Sequence, residues 1–257
     1  MSVTAASMGL VSRAIPSVFG PLHVVAPAKR GSTEVVLFLH GFRSSWTVWK
    51  PVMLAMDKAG YLAGRDRIAV DLPGFGQSLN QLDHLDAAVI GAELLRIVGE
   101  LGYERIRLVG HSMGGFLTLD MASRFPERIV SVHVVAGSYF RLIRLSNQPL
   151  LGWPRNPLMG AFYWYERLFD RNPTNRRVFR YASRNGRGYD ARARWGALQQ
   201  PVYAVFGDRD PLVSPRDARE FSDILPKAHV TSLARAGHMV VAQYPQAVAK
   251  ALFGGID

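Results

Sequence analysis

One serine in this chain stands in a pattern that chemistry requires. Ser112 lies within Gly110-His111-Ser112-Met113-Gly114-Gly115. This run follows a stretch read as a strand, Arg105–Val109, and opens a helical pattern, Met113–Arg124. A strand–turn–helix passage of this kind is the nucleophile-elbow pattern. So sharp a turn forces the serine into a strained backbone conformation, and side chains at positions 110 and 114 would collide with neighbouring backbone. In return, the hydroxyl stands exposed over a helix N-terminus, where the dipole favours developing negative charge.

A serine hydroxyl is a weak nucleophile at pH 7 and needs a base. The chain has seven histidines. His40 belongs to the run His40-Gly41-Phe42 and His111 to the serine turn itself, His133 falls in mid-strand, and His23, His84 and His229 have no motif context. His238 ends Arg235-Ala236-Gly237-His238, between the last strand and the last helix, and is the candidate base. The base needs an orienting carboxylate. The run Gly207-Asp208-Arg209-Asp210 follows a strand and offers two, Asp208 and Asp210. The loop Gly137-Ser138-Tyr139 offers none. An oxyanion needs two donors. The Met113 N–H follows the serine, and the Phe42 N–H lies in the loop after an apolar strand, where Gly41 lets the chain bend. His40 is read as an anchor of that loop, and with Met239 as a candidate pocket residue. Asp71-Leu72-Pro73-Gly74-Phe75-Gly76-Gln77-Ser78 reads as a tight structural turn beside the site. No G-x-G-x-x-G opens a helix there, which counts against phosphate binding.

The elements that must position these residues alternate. Glu34–Leu39 is a continuous apolar run, the mark of a buried parallel strand. Trp46, Trp49, Val52, Met53 and Met56 follow at helical spacing, with Ser45 as N-cap. Arg67–Val70 reads as a strand, Leu85–Leu101 as an amphipathic helix closed by Gly102, and Ile129–Ala136 as a strand. Val202–Phe206 and His229–Leu233 read as strands. Pro215–Leu225 and Tyr244–Phe253 read as helices, the first with Ser214 as N-cap. This rhythm predicts an α/β fold: a mostly parallel central sheet with helices on both faces.

The rhythm breaks between Ser138 and Gln199. That stretch holds 12 Arg against three acids, so it carries +9 of the net +11, and 12 of its 62 residues are aromatic. The expected organisation is a discontinuous core, residues 1–137 and 200–257, with a mainly helical cap at 138–199 over the ligand-binding edge of the sheet. Trp153, Phe162 and Trp164 either roof an apolar pocket or pack the cap onto the core. The arginines read as a solvated face; the alternative is attraction of an acidic substrate, an acyl-carrier partner or an anionic membrane. The chain has no cysteine, which excludes a disulfide scaffold, a thiolate metal site and a cysteine nucleophile. No apolar run approaches the ~18 residues of a membrane span, and the N-terminus makes a poor signal peptide. A cytoplasmic protein, monomer or homodimer, is the expectation.

Jointly, HGF at 40–42, DLPGFGQS at 71–78, GHSMGG at 110–115, GDRDPLV at 207–213 and AGH at 236–238 resemble the α/β-hydrolase family. They fall in that family's order of serine, acid and histidine. The resemblance implies an eight-stranded sheet, though the N-terminal strands are hard to place in this sequence. It implies Asp210 as the acid, since the family motif G-x-x-D carries it in fourth position. It also implies an ester hydrolase acting on a small or medium, largely apolar substrate through an acyl-enzyme, with no metal or cofactor. Thioester hydrolysis, C–C bond hydrolysis and cofactor-free perhydrolysis suit the same residues. Dehalogenase and epoxide-hydrolase chemistry is disfavoured, because those relatives carry Asp at the elbow. A slow-turnover ligand receptor is the reading from another class. Nucleic-acid binding is disfavoured, because the Arg-rich segment lacks a known motif and the triad would stand unexplained.

Overall fold

Among the described residues, eight strands form one sheet in the order β1-β2-β4-β3-β5-β6-β7-β8. They are β1 Leu10–Ile15, β2 Leu22–Pro27, β3 Glu34–Leu39, β4 Asp66–Val70, β5 Arg105–His111, β6 Ile129–Val135, β7 Val202–Gly207 and β8 His229–Leu233. The structure, a computed structural model, describes residues 4–79, 86–137 and 191–255. From β4 to the β8 edge every pairing is parallel, while β2 runs antiparallel to both β1 and β4. The expected mostly parallel sheet is thus present, and the hairpin β1–β2 supplies the two strands the sequence left unplaced.

Side-chain alternation divides the core. Val35, Leu37 and Leu39 of β3 join Ile106, Leu108, Val132 and Val134 on one face. Val36 and Phe38 join Val109 and Val135 on the other. Period two therefore makes a strand that is apolar throughout serve two helical layers. Against the first face pack α2 (Ala87–Glu100) and α3 (Met113–Arg124), with α4 (Ala191–Trp195) and α5 (Pro215–Ile224). Against the second pack α1 (Lys50–Ala59), α6 (Val240–Gln243) and α7 (Pro245–Phe253).

The starts of α2 and α5 follow local chemistry. Asp86 caps α2 through the Ala88 N–H at 2.8 Å. Ser214 begins α5 as expected, its N–H and hydroxyl both reaching Asp217 Oδ2 at 2.7 and 2.5 Å. The short 3₁₀ turn Trp46–Trp49 that leads into α1 is not capped by Ser45. The Trp46 N–H instead donates to Asp71 Oδ1 at 2.7 Å, across 25 residues of chain. The helix expected at Tyr244–Phe253 is α7, and a separate short helix, α6, precedes it.

The insertion residues 138–190, with Trp153, Phe162 and Trp164, lie outside the described residues. Trp195, which the sequence reading gives to the cap, is fully buried in the core and packs on Phe116 of α3 with ring centroids 6.0 Å apart.

Candidate active site

Parallel strands end at a common edge, so the loops after β3, β4, β5, β7 and β8 gather there. Ser112 sits between β5 and α3 at φ 52°, ψ −115°, a left-handed conformation that costs on the order of 1–3 kcal/mol for a residue with a Cβ. The surrounding structure holds it there. Its N–H donates to the Val135 carbonyl at 2.9 Å. A Cβ on Gly110 would stand 2.2 Å from the Gly114 carbonyl oxygen, and one on Gly114 would stand 2.3 Å from that of Leu39. The glycines are therefore demanded by backbone passing backbone.

His238 and Asp210 converge on this serine. His238 Nε2 lies 2.9 Å from Ser112 Oγ. Its Nδ1 lies 2.8 Å from Asp210 Oδ2. The other oxygen, Oδ1, accepts from the N–H groups of Leu212 and Val213 at 2.7 and 2.9 Å, which fixes the carboxylate plane. Asp210 is buried, whereas Asp208 is exposed, so the two acids the sequence left open are separated by geometry. Gly207 brings their loops together: a Cβ there would meet the Ala236 carbonyl oxygen at 2.3 Å, and the Arg209 N–H donates to that oxygen at 2.9 Å.

The β3 loop closes over the serine from the other side. A Cβ on Gly41 would approach Ser112 Cβ to 3.1 Å and His111 Nδ1 to 3.0 Å. The next residue, Phe42, packs edge-on against Phe75, with centroids 5.7 Å apart. Met113 opens α3, and the first N–H groups of a helix have no intrahelical acceptor. Phe42 and Met113 are partly buried at this edge.

His40 is fully buried, and both ring nitrogens are engaged by backbone. Nε2 accepts from the Leu72 N–H at 2.9 Å, so Nδ1 carries the proton and donates to the Gly41 carbonyl at 2.7 Å. Burial holds its pKa below the usual range. The ring has no free nitrogen for a ligand. Of its two expected roles, loop anchor fits this geometry and pocket wall does not. Met239 is 44% exposed directly after His238.

The Asp71 turn is structural, as expected. Besides Trp46, its carboxylate accepts from the Gln77 N–H at 2.9 Å and meets His23 Nδ1 at 2.9 Å. Burial opposes the charge, but these bonds outweigh it and hold the carboxyl below the usual range. Gly76 has φ +54°, and a Cβ there would stand 2.3 Å from the Asp71 carboxylate. His111, assigned from the sequence to the serine turn, has a partner beyond it. Its Nε2 lies 2.9 Å from the His238 carbonyl oxygen, and the residue is buried.

Residues 36–251 match the sequence profile of the alpha/beta hydrolase family. The chain belongs to that family. Among curated relatives, the dihydrolipoyllysine-residue acetyltransferase component of the acetoin cleaving system of Pseudomonas putida is 27% identical over 234 residues, 82% of this chain and 60% of that protein. Bifunctional epoxide hydrolase 2 of Sus scrofa is 31% identical over 113 residues, 43% of this chain and 19% of that protein. The chain thus spans less than two thirds of the length of these relatives. The hydrolase fold itself recurs in E-2-(acetamidomethylene)succinate hydrolase, with a TM-score of 0.70 and 22% identity over 96% of this chain and 99% of that one. Among the described residues, no helix is long and apolar enough to cross a membrane.

Proposed function

We propose that this alpha/beta hydrolase cleaves a carboxylic ester of a small or medium, largely apolar substrate through an acyl-enzyme on Ser112. The observation that carries the proposal is the continuous chain from Asp210 Oδ2 through His238 to Ser112 Oγ, with links of 2.8 and 2.9 Å. Asp210 holds the His238 Nδ1–H, so Nε2 presents its lone pair to the serine hydroxyl. As Oγ attacks the ester carbonyl, Nε2 takes the hydroxyl proton. The carbonyl oxygen becomes an oxyanion, received by the N–H groups of Phe42 and Met113 beside the positive end of α3. The imidazolium, facing the Asp210 carboxylate, then gives its proton to the leaving alcohol. Water enters, His238 takes one of its protons, and hydroxide oxygen attacks the acyl carbon. Collapse returns that proton to Ser112 and releases the acid.

The insertion is assigned the choice of substrate. The chain departs for it at Gly137, where a Cβ would lie 3.3 Å from the Ser112 carbonyl oxygen. The apolar surface for an acyl group is assigned, in this reading, to Trp153, Phe162 and Trp164 of the 138–199 segment. Epoxide hydrolysis, named for one relative, is not proposed, because that chemistry in this family uses an aspartate where this chain has Ser112.

A turnover screen tests the reading. Nitrophenyl esters of increasing chain length are compared with acyl-thioesters, and a fluorophosphonate probe is followed by peptide mapping. We expect ester turnover and labelling at Ser112. Preference for thioesters would make the enzyme a thioesterase on the same residues. Labelling with only trace turnover of every substrate would favour a ligand receptor.

A further inference from the structure

We propose that His111 is a positioning residue: its Nε2–H holds the carbonyl oxygen of His238 and so sets where the His238 ring stands over Ser112. This rests on the Ser112–His238–Asp210 reading given above.

The sheet makes such a tether necessary. Ser112 follows β5 and His238 follows β8, with β6 and β7 between them. Three strand spacings amount to about 14 Å, so the His238 loop must reach back across the edge to meet the serine. On the β7 side the loop is gripped at Ala236, by Gly207 and by the Arg209 N–H. Gln243 Oε1 accepts from the Gly237 N–H at 2.9 Å. On the β5 side two consecutive residues hold His238. Ser112 Oγ meets its ring, and His111 Nε2 meets its main chain, both at 2.9 Å.

These two bonds differ in permanence. The Ser112 contact is consumed by the reaction. Once the serine is acylated, Oγ has no proton and no free hydroxyl to hold the ring. The His111 bond involves no reacting atom and persists through the cycle, when His238 must still direct water at the acyl carbon.

The His111 ring is built as a fixed donor. It is 3% exposed, and Trp49 packs edge-on against it at 6.4 Å. The Gly41 backbone closes the Nδ1 side, where that nitrogen has no partner among the described residues. A carbonyl oxygen only accepts, so Nε2 carries the proton. The ring centroid lies 5.1 Å from that of His238. A cation there would oppose the imidazolium that His238 must become. Burial, and then the neighbouring His238, push the His111 pKa down to about 4, which keeps the ring neutral at pH 7.

The test separates a hydrogen bond from mere packing. His111→Leu fills the space without a donor, while His111→Gln places an amide N–H near the Nε2 position. Steady-state turnover of the best nitrophenyl ester, the rate of fluorophosphonate labelling and thermal unfolding are measured for both. Displacement of a catalytic group by about 1 Å costs on the order of 100-fold. We therefore expect His111→Leu to lose roughly 10- to 100-fold in kcat with KM little changed. Labelling of Ser112 should slow in parallel, and His111→Gln should recover most of both rates. Wild-type kcat in His111→Leu, or equal losses in two folded variants, would overturn the proposal. If His111→Leu does not fold, His111→Asn, whose amide is too short to reach, replaces it with the same expected order. Ser112→Ala runs alongside. Full turnover in that variant would fail the serine reading itself. An inactive Ser112→Ala beside an unimpaired His111→Leu would fail the positioning role alone.

Discussion

Ser112, His238 and Asp210 are joined by two short hydrogen bonds, and each invites its own substitution. Ser112→Ala removes one partly buried hydroxyl and leaves the turn intact. It should abolish acyl-enzyme formation and fluorophosphonate labelling with an unchanged thermal midpoint; labelling of another serine would sink the assignment. The two acids differ more sharply. Asp210 accepts from His238 and from two backbone amides, whereas Asp208 is exposed. Asp210→Asn presents an amide in place of an acceptor and favours the wrong His238 tautomer. The loss in kcat should be on the order of 10⁴, the figure known for the well-studied triad. Asp208→Asn should leave kcat within about twofold of wild type, as for a surface substitution away from the chemistry. Equal losses from the two would move the orienting role.

At the scale of elements, the passage from β5 to α3 tolerates no side chain at two places. Gly114→Ala would put a methyl 2.3 Å from the Leu39 carbonyl oxygen, on the neighbouring strand β3. Backbone must move, at about 3 kcal/mol or more, which corresponds to roughly 6–12 °C in thermal midpoint for a chain of this size. A scanning calorimeter would show it, and an unchanged midpoint would mean that the turn is looser than described. The strand β6 carries a different sensitivity. His133 is fully buried, stacks on Phe253 with centroids 4.2 Å apart, and meets Ser131 Oγ at 2.8 Å. Burial, and then the Arg107 charge, push its pKa from 6.5 down to about 3. The unfolded chain binds a proton near pH 6.5 that the folded chain refuses until about pH 3. The part of the stability linked to His133 is therefore complete above about pH 6.5 and falls by roughly a few kcal/mol as pH drops through that window. His133→Gln keeps a polar end for Ser131 and cannot titrate. Its midpoint should fall less steeply between pH 6.5 and 4 than that of the wild type, and parallel curves would refute the assignment.

For the whole molecule, the question is what the +9 segment does. Arginine is the prevailing cation throughout this chain, which has only five lysines. That favours a solvated face over a steering device. Neutralising several arginines between 138 and 199 should leave the ratio of kcat/KM for acidic and neutral esters unchanged. Raising salt should leave it unchanged too, although the Debye length falls from ~10 Å at 0.1 M to ~3 Å at 1 M. Selective loss on acidic esters, imitated by salt, would instead assign the arginines to substrate attraction. The aromatics are a separate matter. Trp164→Ala or Phe162→Ala should alter the preferred acyl length if the insertion roofs the pocket. A lowered midpoint with an unchanged chain-length profile would reduce these rings to packing.

Local sequence was enough for whatever depends on local geometry. A continuous apolar run marked β3, and short, mainly apolar runs marked β5, β6 and β7, because a strand buried on both faces is predominantly apolar. The glycines at 110 and 114 marked the Ser112 turn, because backbone crosses backbone there. The hairpin β1–β2 was less legible. The burial of β1 is mixed, and β2 meets β4 through only two paired residues. Nor could spacing alone choose between Asp208 and Asp210. That choice depends on which carboxylate the turn after β7 tucks beneath a histidine 28 residues away. Asp71 capping the turn before α1, and His111 holding the His238 carbonyl, span 25 and 127 residues. Such contacts leave no periodicity or motif in the chain. They exist because parallel strands bring distant loops to one edge, where each buried polar atom must find its partner among whatever the fold has placed there.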